Sequence, residues 1–198
     1  MEDRIPAREH LRLALLRGDR QAVLSLARTE GLETLSGWKN ALMEELTGGY
    51  LAHALPFCQL TAAAQAASAL YHDAPPVVCC GGVAGNTSAT GQNFMMMLLR
   101  AWGVPAIDLG CGVPAERFLA AVREHGLQYV ICVAFSAADA GGVLRLHEEA
   151  ARQGLRGQFL LLLSGAQLDE NDPSRRCLDC PDTGAAAVAN WVVRSWRG

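Results

Sequence analysis

The sequence predicts an α/β protein in two parts, a bundle of four helices and then a doubly wound, mostly parallel five-stranded sheet. Three observations predict it. From residue 7 to about 72, apolar residues recur only at helical spacing. Pro75 and Pro76 then interrupt the chain. Beyond them, short apolar runs alternate with amphipathic stretches, the pattern of parallel strands joined by crossover helices. The expected domains are 1–72 and 76–198.

The first helix carries Leu11, Ala14 and Leu15 and stops at Gly18. Asp19 caps the second, which carries Ala22, Val23, Leu26 and Ala27 on one face. Leu35, Trp38, Leu42 and Leu46 mark a third, broken or kinked at Gly48 and Gly49. Pro56 opens a fourth, rich in alanine. Brief connections favour antiparallel neighbours. In the second part, strands are expected at 77–80, 106–109, 129–135 and 159–163, with a short fifth at 176–178. Helices are expected at 91–102, 115–125, 143–153 and 185–196.

The chain has 198 residues, 51% hydrophobic and 19% charged, with a formal net charge of −3. That hydrophobic share excludes a disordered chain. The slightly acidic balance argues against a nucleic-acid surface. No apolar run reaches the roughly 18 residues of a membrane span, and the mixed-charge opening is not a signal peptide, so a cytoplasmic location is expected. The seven cysteines are odd in number, which argues against a disulfide framework. Cys79, Cys80 and Cys132 lie in apolar runs and read as core. Cys177 and Cys180 form a lone C-x-x-C, whereas a structural zinc site needs a second pair.

In open parallel sheets the ligand site lies beyond the carboxyl ends of the strands. That assigns the functional edge to 81–91, 110–114, 135–142, 164–169 and 181–184. These segments are rich in glycine, small residues and hydroxyls. Backbone can approach a ligand closely there, and helix N-termini can face a phosphate.

The stretch G-N-T-S-A-T-G-Q-N at 85–93 falls between the first strand and its helix. Its frame resembles the G-D-x-H-x-x-G-x-N loop of cobalamin-binding domains. I-D-L-G-C-G-V-P at 107–114 is similar to that family's I-D-L-G-x-x-V-P, and Glu116, Arg117 and Phe118 follow where it often has E-K-F. Ser164, Gly165 and Ala166 fall on its G-G-A. L-A-L-L-R-G-D at 13–19 and the region of Leu55 and Pro56 resemble the four-helix cap of corrinoid methyl-carrier proteins. The resemblance spans about 11–196.

It implies a helical cap on a Rossmann-like (flavodoxin-like) domain, with cobalamin or another corrinoid, and so cobalt, held by the two. It implies a carrier without catalytic residues of its own, acting with separate substrate and acceptor methyltransferases. The implied cofactor contacts are Gly85, Asn86, Thr87, Ser88, Ala89, Gly91, Asn93, Gly110, Val133, Phe135, Ser136, Ser164, Gly165, Ala166, Asp182 and Thr183. Phe57 and Leu60, with Leu55 and Pro56, fall where the cap covers the cofactor as an apolar lid. The implied hinge is 71–76.

The chain departs from this pattern where the chemistry lies. The family's histidine, which ligates cobalt from below, falls on Ser88, and its aspartate partner on Asn86. No histidine lies between His72 and His125. A hydroxyl is a poor cobalt ligand beside an imidazole, and a supporting residue is useless without its ligand. The serine after the third strand falls on Val133, and the first glycine of G-G on Ser164, which narrows the slot for the cofactor's nucleotide tail. Three readings stand. A corrinoid is bound without a histidine below the metal. Or another planar tetrapyrrole such as haem is bound in a sensor or regulatory module, with Cys58, Cys111 or His53 as axial ligand. Or the cofactor is lost and the fold is an interaction module. The surviving Gly85, Gly91 and Gly110 favour the first.

Each residue also has a plain structural reading. Asn86 and Ser88 are ordinary turn residues, and Thr90 is a cap for a helix starting at Gly91. The methionine run at 95–97 is core filling. Cys111 is either a thiol that touches a metal or a small loop residue. Asp182 or Thr183 caps the last helix. The histidines are scattered, and no nucleophile-base-acid set is visible.

Overall fold

The computed structural model describes residues 6–71, 74–165 and 172–197. The chain divides into two compact units, 1–73 with 97–103, and 74–96 with 104–198.

The first unit is built on four helices. α1 (Ala7–Arg17) ends at Gly18, whose φ of +69° turns the chain while its N–H bonds back to the helix. A side chain there would also meet Ala62 Cβ at 3.4 Å. α2 (Arg20–Glu30) starts at Asp19, whose carboxylate accepts from the Ala22 N–H at 3.0 Å. α3 (Leu32–Leu51) runs straight through Gly48 and Gly49, where the sequence had placed a break. The physical reason is position. A glycine in a helix costs only about 1 kcal/mol. These two lie in the last turn, where their carbonyls accept the closing bonds from Ala52, Ala54 and Leu55. α4 (Phe57–Ala67) follows Pro56, and its alanines Ala63, Ala64, Ala66 and Ala67 are fully buried. Leu11, Leu15, Val23, Leu35, Met43 and Leu60 are also fully buried in this unit.

The second unit holds β1 (Val78–Gly82), the first part of α5 (Ala89–Trp102), β2 (Ala106–Asp108), α6 (Ala115–His125), β3 (Tyr129–Val133), α7 (Ala137–Arg152), β4 (Leu160–Ser164) and α8 (Ala185–Arg197). All strand pairs are parallel, in the order β2-β1-β3-β4. β1, β3 and β4 end in register, with Gly82 opposite Val133 and Val133 opposite Ser164. The winding reverses between β1 and β3, so the crevice of this sheet opens beyond Gly82 and Val133.

Strand residues alternate between two faces. Cys79, Val130, Cys132, Leu161 and Leu163 join Phe118, Leu119 and Val122 of α6 and Val143 and Leu146 of α7 in one core. The other face meets α8, where Tyr129 packs edge-on against Trp191 at 6.4 Å, and the start of α5, where Gly91 abuts Val133. Helices therefore cover both faces. Burial pushes the Cys79 thiol up to about 12, and the same desolvation raises Cys80 and Cys132. All seven cysteines are free thiols.

Among the described residues the sheet has four strands, not five. The segment expected as the fifth is a 3-10 turn, Pro173–Cys177, opened by Asp172, which accepts from the Ser174 N–H at 2.8 Å. Asp179 explains why no strand forms. Its N–H and its carboxylate both bond Leu161, at 2.9 and 2.7 Å, while Arg156 holds the carboxylate at 3.1 Å. The free edge of β4 is thus occupied by one residue rather than a ladder. α7 also starts earlier than its apolar pattern, because Ser136 and Asp139 form a reciprocal capping box. No helix among the described residues is long and apolar enough to cross a membrane.

Candidate functional site

The loops that follow β1, β2 and β3 meet at the carboxyl edge of the sheet, and Asn86 joins them. It is 3% exposed. Its Nδ2 donates to the Val133 carbonyl at 2.9 Å, and its Oδ1 accepts from the Ser88 N–H at 2.9 Å. Its own N–H reaches the Val83 carbonyl at 2.9 Å, and its carbonyl accepts from the Gly112 N–H at 2.8 Å. One residue thereby ties the end of β1, the end of β3, the start of α5 and the loop before α6. The side-chain amide has one end that donates and one that accepts, and both are engaged.

Ser88 precedes the first helical residue of α5, Ala89, and its hydroxyl accepts a long 3.5 Å bond from the Thr90 N–H. The cap that the sequence puts at Thr90 therefore belongs to Ser88, two residues earlier, and the helix starts two residues earlier as well. Gly91 lies in the first turn. A Cβ there would stand 3.1 Å from both Val133 Cγ1 and Phe135 Cζ, so glycine lets the end of β3 and this ring come close without displacing either.

A second cluster holds the loop after β2. Gln92 is 2% exposed, donates through Nε2 to Asp108 Oδ1, and accepts from the Cys111 thiol at 3.2 Å. Asp108 Oδ1 also accepts from the Gly110 N–H at 3.0 Å. Gly110 and Gly112 both have positive φ, which this tight loop requires. On the third loop, Asp139 accepts from the N–H groups of Phe135 and Ser136 at 3.3 and 3.1 Å. Gly165, at φ +104°, follows β4. A Cβ there would lie 2.5 Å from the Ala134 carbonyl, and its N–H donates to Thr183 at 2.8 Å.

The second unit thus brings Gly85, Asn86, Thr87, Ser88, Ala89, Gly91, Gly110, Val133, Phe135, Ser136, Ser164, Gly165 and Thr183 to one end of its sheet. Asn86, Val133 and Ser164 are buried there, whereas Thr87, Asn93, Phe135, Ser136 and Asp182 are exposed. Ala166, His72 and part of the expected hinge lie outside the described residues. In the first unit, Phe57 is 52% exposed beside Tyr50 while Leu60 is fully buried, so the two point to different surroundings. His53 and Cys58 are exposed on the α3–α4 connection and the first turn of α4.

Gln92, Asp108 and Asp139 were missed as loop-holding residues. The S-x-x-D spacing of Ser136 and Asp139 is a capping-box signal. Gln92 and Asp108 had no local signal, since they lie sixteen residues apart and meet only across β1.

A groove of about 420 Å³ opens on the α6–α7 side, floored by Val83, Val113 and Phe118 and walled by Glu116, Arg145 and Arg152. It takes Val83, Ala84, Val113, Pro114 and Gly142 from the predicted edge segments, but none of the individually named cofactor contacts. Among the described residues no three His, Cys, Asp or Glu side chains converge to hold a metal.

No family model matches the chain. Trimethylamine corrinoid protein 1 of Methanosarcina mazei is 22% identical over 94 residues, covering 48% of this chain and 44% of its own length. The match therefore spans less than half of that relative. A cobalamin-binding protein from Desulfitobacterium hafniense superimposes with a TM-score of 0.77 at 17% identity, over 98% of this chain and 100% of that one. The methanol:cobalamin methyltransferase complex from Methanosarcina barkeri gives 0.78 at 17% identity, over 100% of this chain and 81% of that one. At these identities the likeness establishes the fold alone, which is the one seen in that cobalamin-binding protein and in that methyltransferase complex.

Proposed function

We propose that this chain binds a corrinoid, cobalamin or a relative of it, and serves as the methyl-group carrier of a corrinoid-dependent methyltransferase system. The observation that carries the reading is the construction of the carboxyl edge. Along the carboxyl edge, Gly85, Gly110 and Gly165 adopt positive φ, and Gly110 leaves open space where a side chain would project. Asn86 and Gln92 hold the loops between them in place. A planar ligand can rest on bare backbone there, at the place where sheets of this topology bind their ligands. The structural neighbours named for cobalamin support the same ligand class.

The methyl chemistry belongs to the cobalt of a bound corrinoid. The residues of this chain seat and orient it, and the methyl donor and acceptor act from partner methyltransferases. The donor set does not fit one feature of the family, since neither Asn86 nor Ser88 offers an imidazole to the metal.

The test is a titration of the purified chain with hydroxocobalamin, with haem in parallel, followed by visible absorption. A stoichiometric shift with cobalamin supports the reading. A shift with haem alone reassigns the edge to a haem sensor, and no shift with either leaves a protein-interaction module. Copurification with a methyltransferase then distinguishes carrier from sensor.

A further inference from the structure

The loop that would have to supply an axial ligand is closed on itself. Asn86 is buried, and its amide is bonded at both ends, to the Val133 carbonyl and to the Ser88 N–H. Ser88 is turned to the start of α5 as its cap. Lifting this loop breaks the two amide bonds and the backbone bonds from Asn86 to Val83 and from Gly112 to Asn86. The crevice beneath is closed as well. Ligands of such sheets sit beyond the carboxyl ends of the strands at the switch point, and here the start of α5 lies against the end of β3 at that place. A Cβ on Gly91 would stand 3.1 Å from Val133 Cγ1, so even one added carbon is crowded there, and Val133 is fully buried. The Phe135 ring covers the same spot from outside.

We infer, on the reading of this chain as a corrinoid binder, that it gives the corrinoid no axial ligand from the 85–88 loop and takes no nucleotide tail into its sheet. The tail stays outside, and its base remains free to coordinate the cofactor's own cobalt. Affinity then resides in the ring and its amide side chains. Such a site does not distinguish a corrinoid with a tail from one without.

The experiment titrates the full chain with hydroxocobalamin and, separately, with cobinamide, which lacks the nucleotide. A cobalt(II) paramagnetic resonance spectrum of the cobalamin complex accompanies it. The expected result is that the two dissociation constants agree within about threefold. The cobalt(II) spectrum keeps the nitrogen splitting of the cofactor's own base, and Ser88→Ala leaves that spectrum unchanged. Cobalamin bound about tenfold or more tightly than cobinamide, with that splitting lost, overturns the inference while leaving the corrinoid reading intact. Binding of neither compound removes the corrinoid reading, and this inference with it.

Discussion

Replacing Asn86 by aspartate changes one atom and tests the clasp at the carboxyl edge. Asn86 Nδ2 now donates to the Val133 carbonyl at 2.9 Å, in a site only 3% exposed. A carboxylate there places oxygen against oxygen and leaves the carbonyl without its donor. An unsatisfied buried acceptor costs about 1–3 kcal/mol, and a buried ion that has lost its partner about 3–5 kcal/mol. The introduced group escapes by binding a proton, which restores a donor. From an ordinary carboxyl value near 3.9, holding that proton costs about 1.5 kcal/mol at pH 5 and more than 5 kcal/mol at pH 8. The cheaper route governs at each pH. Asn86→Asp should therefore lose about 1.5 kcal/mol at pH 5 and about 3–5 kcal/mol at pH 8. The sign follows from linkage, because a carboxyl whose folded value is raised loses stability as pH rises. Asn86→Ala lacks the titrating group and should lose about 1–3 kcal/mol at both values. Urea unfolding followed by tryptophan fluorescence, with the parent measured at each pH, reads the difference. An aspartate variant within about 0.5 kcal/mol of the parent at both pH values would refute the reasoning, as would an equal loss at both.

Two further expectations concern the sheet. The Cys79, Cys80 and Cys132 thiols are raised by burial from an ordinary value of 9.0, so they stay protonated in the folded chain while the unfolded chain ionises. Stability is then full below pH 9 and falls above it, by about 1.4 kcal/mol per thiol at pH 10. Cys132→Ala should shrink the loss between pH 8 and pH 10 by about that amount, read from urea midpoints under reducing conditions. An unchanged loss would mean that this thiol is not held neutral. At Gly165, a Cβ meets the Ala134 carbonyl at 2.5 Å, and φ is +104°. Gly165→Ala should cost about 2–3 kcal/mol, lowering Tm by about 5–10 °C. Gly157→Ala, at φ +96° with nothing within 4 Å, isolates the backbone strain alone and should cost less. Equal losses in the two would show that the close approach at Gly165 carries no weight.

Much of the architecture was legible because its signals are local. α6 runs over Ala115–His125, the span that its periodicity indicates, with Gly126 stopping it at φ +62°. Asp19 caps α2 as its residue type and position indicate. Strands β1, β3 and β4 are legible within two residues at each end, because each is a short run that is apolar over most of its length. What failed was non-local. Gly48 and Gly49 look like a break until the closing bonds of α3 are seen to end on them. The run at 176–178 looks like a strand until Asp179 is found already bonded to the edge of β4. At the edge, the sequence located the loops but not their internal logic. Asn86 reads as a ligand contact or a turn residue, and its bond to Val133 spans 47 residues. No local spacing encodes that bond.

That bond also gives a physical reason for the pair of residues that the sequence resemblance sets at 86 and 88. A carboxylate at 86 can only accept, which suits it to holding an imidazole N–H and unsuits it to facing a carbonyl. With serine at 88 there is no imidazole to hold, and the space beside Val133 calls for a donor. Asparagine supplies that donor and keeps an acceptor for the Ser88 N–H. The two residues are therefore one device with one physical demand. Introducing a histidine at 88 alone would set its ring beside a neutral amide oxygen, which already accepts from the N–H of residue 88, in place of a carboxylate. Changing 86 as well would open the contact to β3. Recovering a metal-ligating loop here requires rebuilding Val133 and Phe135 along with the pair, since those side chains fill the space against Gly91.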